Sequence, residues 1–229
     1  MILASIVLLL DGSERPEPAA ARAWLAAQIP EAAPGSFTVG VGGTTQPFIR
    51  YTFLVEEVYS YLSPAFFSLA GTNLILGQNY RVREVLQEGH AWSGLTTWPK
   101  LMSSPGAPTV SLSLASPTLF RHQGRDWPVL DPKLLVRSLV QRFNAFAPLS
   151  VPEGIAQGLV DNLFPSHYRL HTVFREPVMG FVGSAQLVLA EPDPELQIWL
   201  AALARLAFYS GVGAKTALGF GQARAYLAR

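Results

Sequence analysis

The chain contains no cysteine. Disulfides, thiolate metal sites and thiol nucleophiles are thereby excluded, and cysteine usage leaves the redox compartment open. Charge is scarce too: 14% of residues are charged against 49% apolar, so a sizeable core can form and disorder is not expected. With 17 basic and 16 acidic residues the formal charge is +1, too small to dictate a polyanionic partner by itself. The N-terminal apolar run, MILASIVLLL, falls far short of the roughly 20 residues a membrane span needs. It lacks a basic leader and a small-residue cleavage site, so it reads as a buried strand of a soluble, cytoplasmic protein with no membrane partner.

Glycine is concentrated in one place. Residues 210–226 read SGVGAKTALGFGQARAY, with two Gly-x-Gly pairs, Gly211 with Gly213 and Gly219 with Gly221. Five residues containing one cation, Lys215, separate the pairs. Glycine serves where a backbone takes positive φ or lets a ligand approach, so this spacing predicts a loop with outward amides, suited to a phosphate chain. A bend that only joins a helix to a closing strand accounts for the pattern equally well. A P-loop is excluded, because Ala214 stands where Gly must precede the Lys-Thr pair. A dinucleotide fingerprint fails as well, since its third Gly would fall at Thr216. From Arg205 onward there are four bases and no acid, which favours an anionic ligand.

Hydrophobic periodicity orders the rest of the chain. A strand over 1–10, a helix over 16–28, strands over 36–41 and 48–55, a helix over 56–69 and extended chain over 73–86 form a first unit. Residues 87–108 read as a loop-rich connection. There follow a strand over 109–115, a helix from Asp131-Pro132 to Ala147 and a short helix over 152–163. Strands over 167–175 and 178–190, a helix over 194–209 and a strand over 219–227 end the chain. The order strand, helix, strand, strand, helix, strand occurs twice. That predicts an α+β chain of two tandem ferredoxin-like (βαββαβ) modules with antiparallel sheets, 1–86 and 109–229.

Basic residues cluster in two further places. The helix after Asp131 carries Lys133, Arg137, Gln141 and Asn144 on one side and Leu135, Leu139, Phe143 and Phe146 on the other, and it also holds Arg142. The segment RHQGR holds Arg121, His122 and Arg125. All are candidates for phosphate contact; the alternatives are a solvated helix face and an exposed hairpin. His90 in EGHAWSG suits a hydrogen-bonded structural role. His167 and His171 are four apart, but the segment reads as a strand and offers no third ligand, so neither metal nor cofactor is expected. Asp126 and Asp131 read as turn or cap residues. Trp199 belongs to a core helix, Tyr209 to packing, and Trp24, Trp92, Trp98 and Trp127 remain candidates for base stacking.

Taken together, GVGAKTALGFG at 211–221, ASPTLFR at 115–121, DPKLLVRSLVQRF at 131–143 and GFVGSAQLVL at 180–189 resemble the CRISPR repeat-RNA processing endoribonucleases of the RAMP superfamily, in the branch found with type I and type III systems. The likeness covers nearly the whole chain. It implies binding of a repeat stem-loop by the glycine loop, with Lys215 on the RNA backbone and Arg121, Arg125, Lys133, Arg137 and Arg142 on stem phosphates. It also implies cleavage without a metal: the ribose 2′-hydroxyl attacks, a base takes its proton, and cyclic phosphate and 5′-hydroxyl ends result. A homodimer or an interference complex is the implied assembly.

One departure stands against that pattern. The family's general base is usually a histidine between the first helix and second strand, yet QIPEAAPGSFTVGVGG at 28–43 has none. Ala32 or Ala33 is the nearest counterpart. Natural loss of cleavage with binding retained, a substitute base and deliberate replacement to trap RNA all fit. A non-cleaving subunit that keeps its guide RNA is the alternative function.

Overall fold

A computed structural model describes residues 1–29, 35–103, 105–191 and 193–228. The chain divides into two compact units, Met1–Thr97 with Ala217–Gly219, and Trp98–Thr216 with Phe220–Arg229.

In the first unit, β1 (Ile2–Leu10) is central to an antiparallel sheet, and every residue from Leu3 to Leu10 is buried. A strand covered on both faces needs no apolar/polar alternation, which is why its sequence is a continuous hydrophobic run. Helix α1 (Pro18–Gln28) follows, then β2 (Phe37–Gly42), β3 (Phe48–Phe53) and helix α2 (Glu56–Phe67). Glu56 and Glu57 occupy the first turn of α2, where carboxylates complement the helix dipole. Strands β4 (Asn73–Leu76) and β5 (Gln78–Leu86) complete the order β2-β3-β1-β5-β4. One face of this sheet gathers Ala4, Ile6, Leu8 and Leu10 with Leu25, Tyr51 and Phe66 into a core.

Two stretches differ from their sequence reading. The extended chain over 73–86 is a hairpin, because Gly77 takes φ +80 and reverses it. Residues 87–108 are not only loop: β6 (Gly94–Thr97) pairs with Ile2–Ser5 of β1, and the one-turn helix α3 (Trp98–Met102) follows. Elements of four and five residues carry too little periodicity to be read from sequence.

The second unit repeats the topology. Its sheet order is β10-β11-β7-β12, from β7 (Thr109–Thr118), β10 (Leu163–Arg175), β11 (Val178–Leu189) and β12 (Ala223–Ala228), all pairs antiparallel. Helices α4 (Pro132–Phe146), α5 (Glu153–Asn162) and α6 (Pro194–Ser210) accompany it. Phe143 of α4 packs edge-on against both Trp98 and Trp199, at 5.3 and 5.4 Å between ring centroids. Between β7 and α4 the chain inserts a small hairpin, β8 (Phe120–His122) and β9 (Arg125–Trp127). Gln123 and Gly124 take φ 49 and 77 at its tip, the left-handed pair a two-residue hairpin requires. Each unit is thus a strand-helix-strand-strand-helix-strand module on an antiparallel sheet, and the fold is α+β with two tandem ferredoxin-like modules.

Candidate nucleic-acid interface

The glycine loop leaves the C-terminus of α6 and returns into β12. Gly211, Gly213, Gly219 and Gly221 take φ of 66, 79, 82 and 65. A Cβ on Gly221 would lie 1.9 Å from the Val212 carbonyl oxygen, and one on Gly213 would lie 2.1 Å from that of Leu119. These positions admit no side chain, since both the backbone angle and the close approach exclude it.

The amides at the two ends of the loop do not point outward as their spacing predicts. Gly211 N–H donates to Ala207, Val212 to Gly221, Ala214 to Leu119, and Gly221 to Pro117. Gly213 N–H donates to Ser138 Oγ at 2.9 Å, and Gln222 N–H to Ser116 Oγ at 2.9 Å. Buried amides must be paired, and here the glycines let the loop fold tightly enough to pair them with itself and with neighbouring elements. The spacing that fits a phosphate nest also fits a self-satisfied loop, so sequence alone could not separate the two. Between those ends the loop offers an anion the Lys215 side chain.

Lys215 sits at φ +60, in the left-handed region, and its side chain is about a quarter exposed. Its Nζ donates to Asp126 Oδ2 at 2.7 Å, while Arg121 Nη1 donates to Asp126 Oδ1 at 2.6 Å. The hydrogen bond from Lys215, then that from Arg121, holds the Asp126 carboxyl below the usual carboxylate range. Arg121 and Asp126 face one another across the inserted hairpin, so the fold delivers the RHQGR segment to the glycine loop. Asp126 is accordingly not a turn residue but the bridge between the two basic clusters. Asp131 does cap α4, accepting from the amides of Lys133 and Leu134.

The remaining basic candidates separate by burial. Arg125, Lys133 and Arg137 are exposed, and among the described residues none forms an ion pair within 4 Å. Lys133 and Arg137 are like charges four residues apart at the positive end of α4, where no acid stands in the first turn. Such pairing destabilises a helix by a few tenths of a kcal/mol, so local stability does not explain it. Arg142 is different: it reaches under the loop, donates to Thr216 Oγ1 at 2.7 Å, and burial lowers its pKa. With Ser138 one turn earlier, it braces the glycine loop from below.

Other sequence candidates resolve into packing. His90 Nδ1 accepts from the Trp92 amide and its ring meets Phe48, a structural role. Tyr209 is buried against Phe208, and Trp98 and Trp199 lie in the core. Trp24 packs on Tyr51 and Phe66, while Trp92 lies under Arg50 at 4.9 Å. Arg50 escaped the sequence reading: it is fully buried in β3 and donates to Ser5 Oγ and the Trp92 carbonyl. Trp127 alone among the tryptophans is strongly exposed, beside His122 on the hairpin. His167 and His171 are exposed on β10, and no group of three or more metal-ligating side chains occurs among the described residues. Ala32 and Ala33 lie outside the described residues.

Comparison with known proteins decides the family. The model for the CRISPR-associated endoribonuclease Cas6 matches residues 112–223, which span the inserted hairpin, α4 and nearly all of the glycine loop region. Cas6 TTHA0078, solved as a product complex, is 41% identical over 99% of this chain and 100% of that chain, with a TM-score of 0.94. The chain belongs to the Cas6 family. The same relative solved as a substrate mimic complex is 40% identical with a TM-score of 0.94, and its histidine-to-alanine mutant gives 0.93. Cas6 TTHB231 of Thermus thermophilus is 27% identical over 98% of each chain, with a TM-score of 0.81. No curated protein matches in sequence. Among the described residues of this Cas6-family chain, no helix is long and apolar enough to cross a membrane.

Proposed function

We propose that this chain recognises the stem-loop of CRISPR repeat RNA through its second module and processes it without a metal. The observation that carries the reading is the convergence of Lys215 and Arg121 on one carboxylate, with exposed Arg125, Lys133 and Arg137 in the same module. Membership of an endoribonuclease family names the polyanion as RNA, and the product and substrate mimic complexes of the 40–41% identical relative support a repeat-derived ligand. Gly211, Gly213, Gly219 and Gly221 serve this site by holding Lys215 in place rather than by presenting amides.

Cleavage would proceed by attack of the 2′-hydroxyl on the adjacent phosphorus, its proton passing to water, with the P–O5′ bond breaking and the 5′-oxygen taking a proton from water, to leave a 2′,3′-cyclic phosphate and a 5′-hydroxyl. Lys215 would stabilise the charge on the phosphorane. With alanine at positions 32 and 33, no imidazole stands in the stretch the family uses for its base, which lowers the expected rate about 100- to 10,000-fold. That same absence favours a second reading, a subunit that binds the repeat and retains it uncut, as a homodimer or within an interference complex.

Incubation of the protein with labelled repeat RNA in EDTA tests both. Slow cleavage of the ribose substrate, with none of a control bearing 2′-deoxyribose at the scissile nucleotide, is expected. Binding of both RNAs with no product over days would establish the retaining subunit instead.

A further inference from the structure

Asp126 is an acid in the middle of a basic site. Its two carboxylate oxygens are divided between Lys215 Nζ at 2.7 Å and Arg121 Nη1 at 2.6 Å, so one anion is gripped by two cations from different elements. Neither cation has another ion pair among the described residues. Both are supported for this posture: Lys215 by a left-handed backbone inside a loop whose two ends are tied by backbone hydrogen bonds, Arg121 by its register opposite Asp126 on a two-residue hairpin. A carboxylate held by one ammonium and one guanidinium has the charge and the donor geometry of a bound phosphodiester, whose two non-bridging oxygens divide in the same way.

The geometry points to Asp126 as an internal occupant of a phosphate seat. In the RNA-free protein its carboxylate fills the subsite formed by Lys215 and Arg121, and RNA binding exchanges it for one backbone phosphate. The inference rests on the RNA-binding reading above and adds to it which two side chains share one phosphate and what must leave first. The exchange is feasible because Asp126 lies on an exposed hairpin with its side chain about one-third accessible, not locked in a core. It also has a thermodynamic signature. A lysine already neutralised by a carboxylate releases little counterion when phosphate arrives, so the free protein hides part of its electrostatic drive for RNA.

The test measures affinity for labelled repeat RNA against salt for the full chain and four variants: Asp126→Asn, Lys215→Ala, the double variant, and Asp161→Asn. Asp161 lies in α5, where Gln157 donates to it, and its variant controls for the loss of one negative charge at large. Asp126→Asn is expected to tighten binding about three- to tenfold beyond that control, the scale set by exposed ion pairs, each worth up to roughly fivefold. The slope of log K against log salt should steepen by about 0.7 to 0.9, one further phosphate contact. In the Lys215→Ala background the gain from Asp126→Asn should shrink to the part that frees Arg121 alone, smaller than in the unaltered chain but still above the control. If Lys215→Ala weakens binding while Asp126→Asn does no more than the control, or weakens binding itself, the carboxylate orients Lys215 and the exchange is overturned. If Lys215→Ala binds RNA like the unaltered chain, the RNA site itself is misplaced and the exchange falls with it.

Discussion

Lys215 occupies a backbone conformation that costs an L-residue about 1 kcal/mol relative to glycine, in a loop where four neighbouring positions are already glycine. A lysine stands where glycine would fit the backbone better, so the turn by itself does not call for this side chain. Lys215→Gly should therefore leave thermal stability within about 1 kcal/mol of the unaltered chain while lowering RNA affinity, read by a melt and a binding titration on the same sample. Equal loss of both would make Lys215 a structural residue. At this scale the sequence was partly legible. Lys215 stands out as a lone cation between glycine pairs, and Asp131 is a cap because it directly precedes a proline-initiated helix. The role of Asp126 was not legible, since its partner Lys215 lies 89 residues away.

The element that supports the site is α4, and it does so from two faces. Leu135, Leu139 and Phe143 anchor it in the core of its module, while Ser138 and Arg142, four residues apart, reach the glycine loop at Gly213 and Thr216. Ser138→Ala would strip the Gly213 amide of its acceptor in a half-buried setting. The expected cost is about 1–2 kcal/mol, with a melting temperature lower by a few degrees, and RNA affinity should fall with it as the loop loosens. Ser138→Thr, which keeps the hydroxyl, should recover most of both. At about 100° per residue Arg142 falls on the opposite side of α4 from Lys133, nearer the apolar stripe, so periodicity separates it from Lys133 and Arg137 but does not say what it meets. Whether a polar residue faces solvent or a neighbouring loop depends on what packs there, which periodicity does not encode.

At the scale of the whole molecule, Lys215 is the residue proposed to serve both recognition and chemistry. The residues proposed to grip RNA lie in the second module, whereas the stretch where the family places its base, 28–43, belongs to the first unit and carries no histidine. Introducing histidine by Ala32→His or Ala33→His should raise single-turnover cleavage in EDTA by about 100-fold or more if the rest of the catalytic arrangement is intact, without changing affinity for the 2′-deoxy repeat. The rate should then rise with pH as the imidazole loses its proton near its ordinary pKa, about 6.5. No increase from either variant would place the missing function beyond a single side chain.

The order of the longer elements, the doubling of the module and the family were determined by the sequence itself. Each rests on local signals: apolar periodicity, proline and acidic helix starts, and glycine spacing at 211–221. Tertiary structure alone decided what the glycine loop presents. The amides of Gly211, Ala214, Gly221 and Gly213 are taken up by Ala207, Leu119, Pro117 and Ser138, contributed by α6, α4 and by β7 and the residues around it, and Lys215 meets Asp126 and, through it, Arg121. Hydrogen bonds and ion pairs between residues far apart in the chain depend on which elements pack together, and no local pattern records that choice.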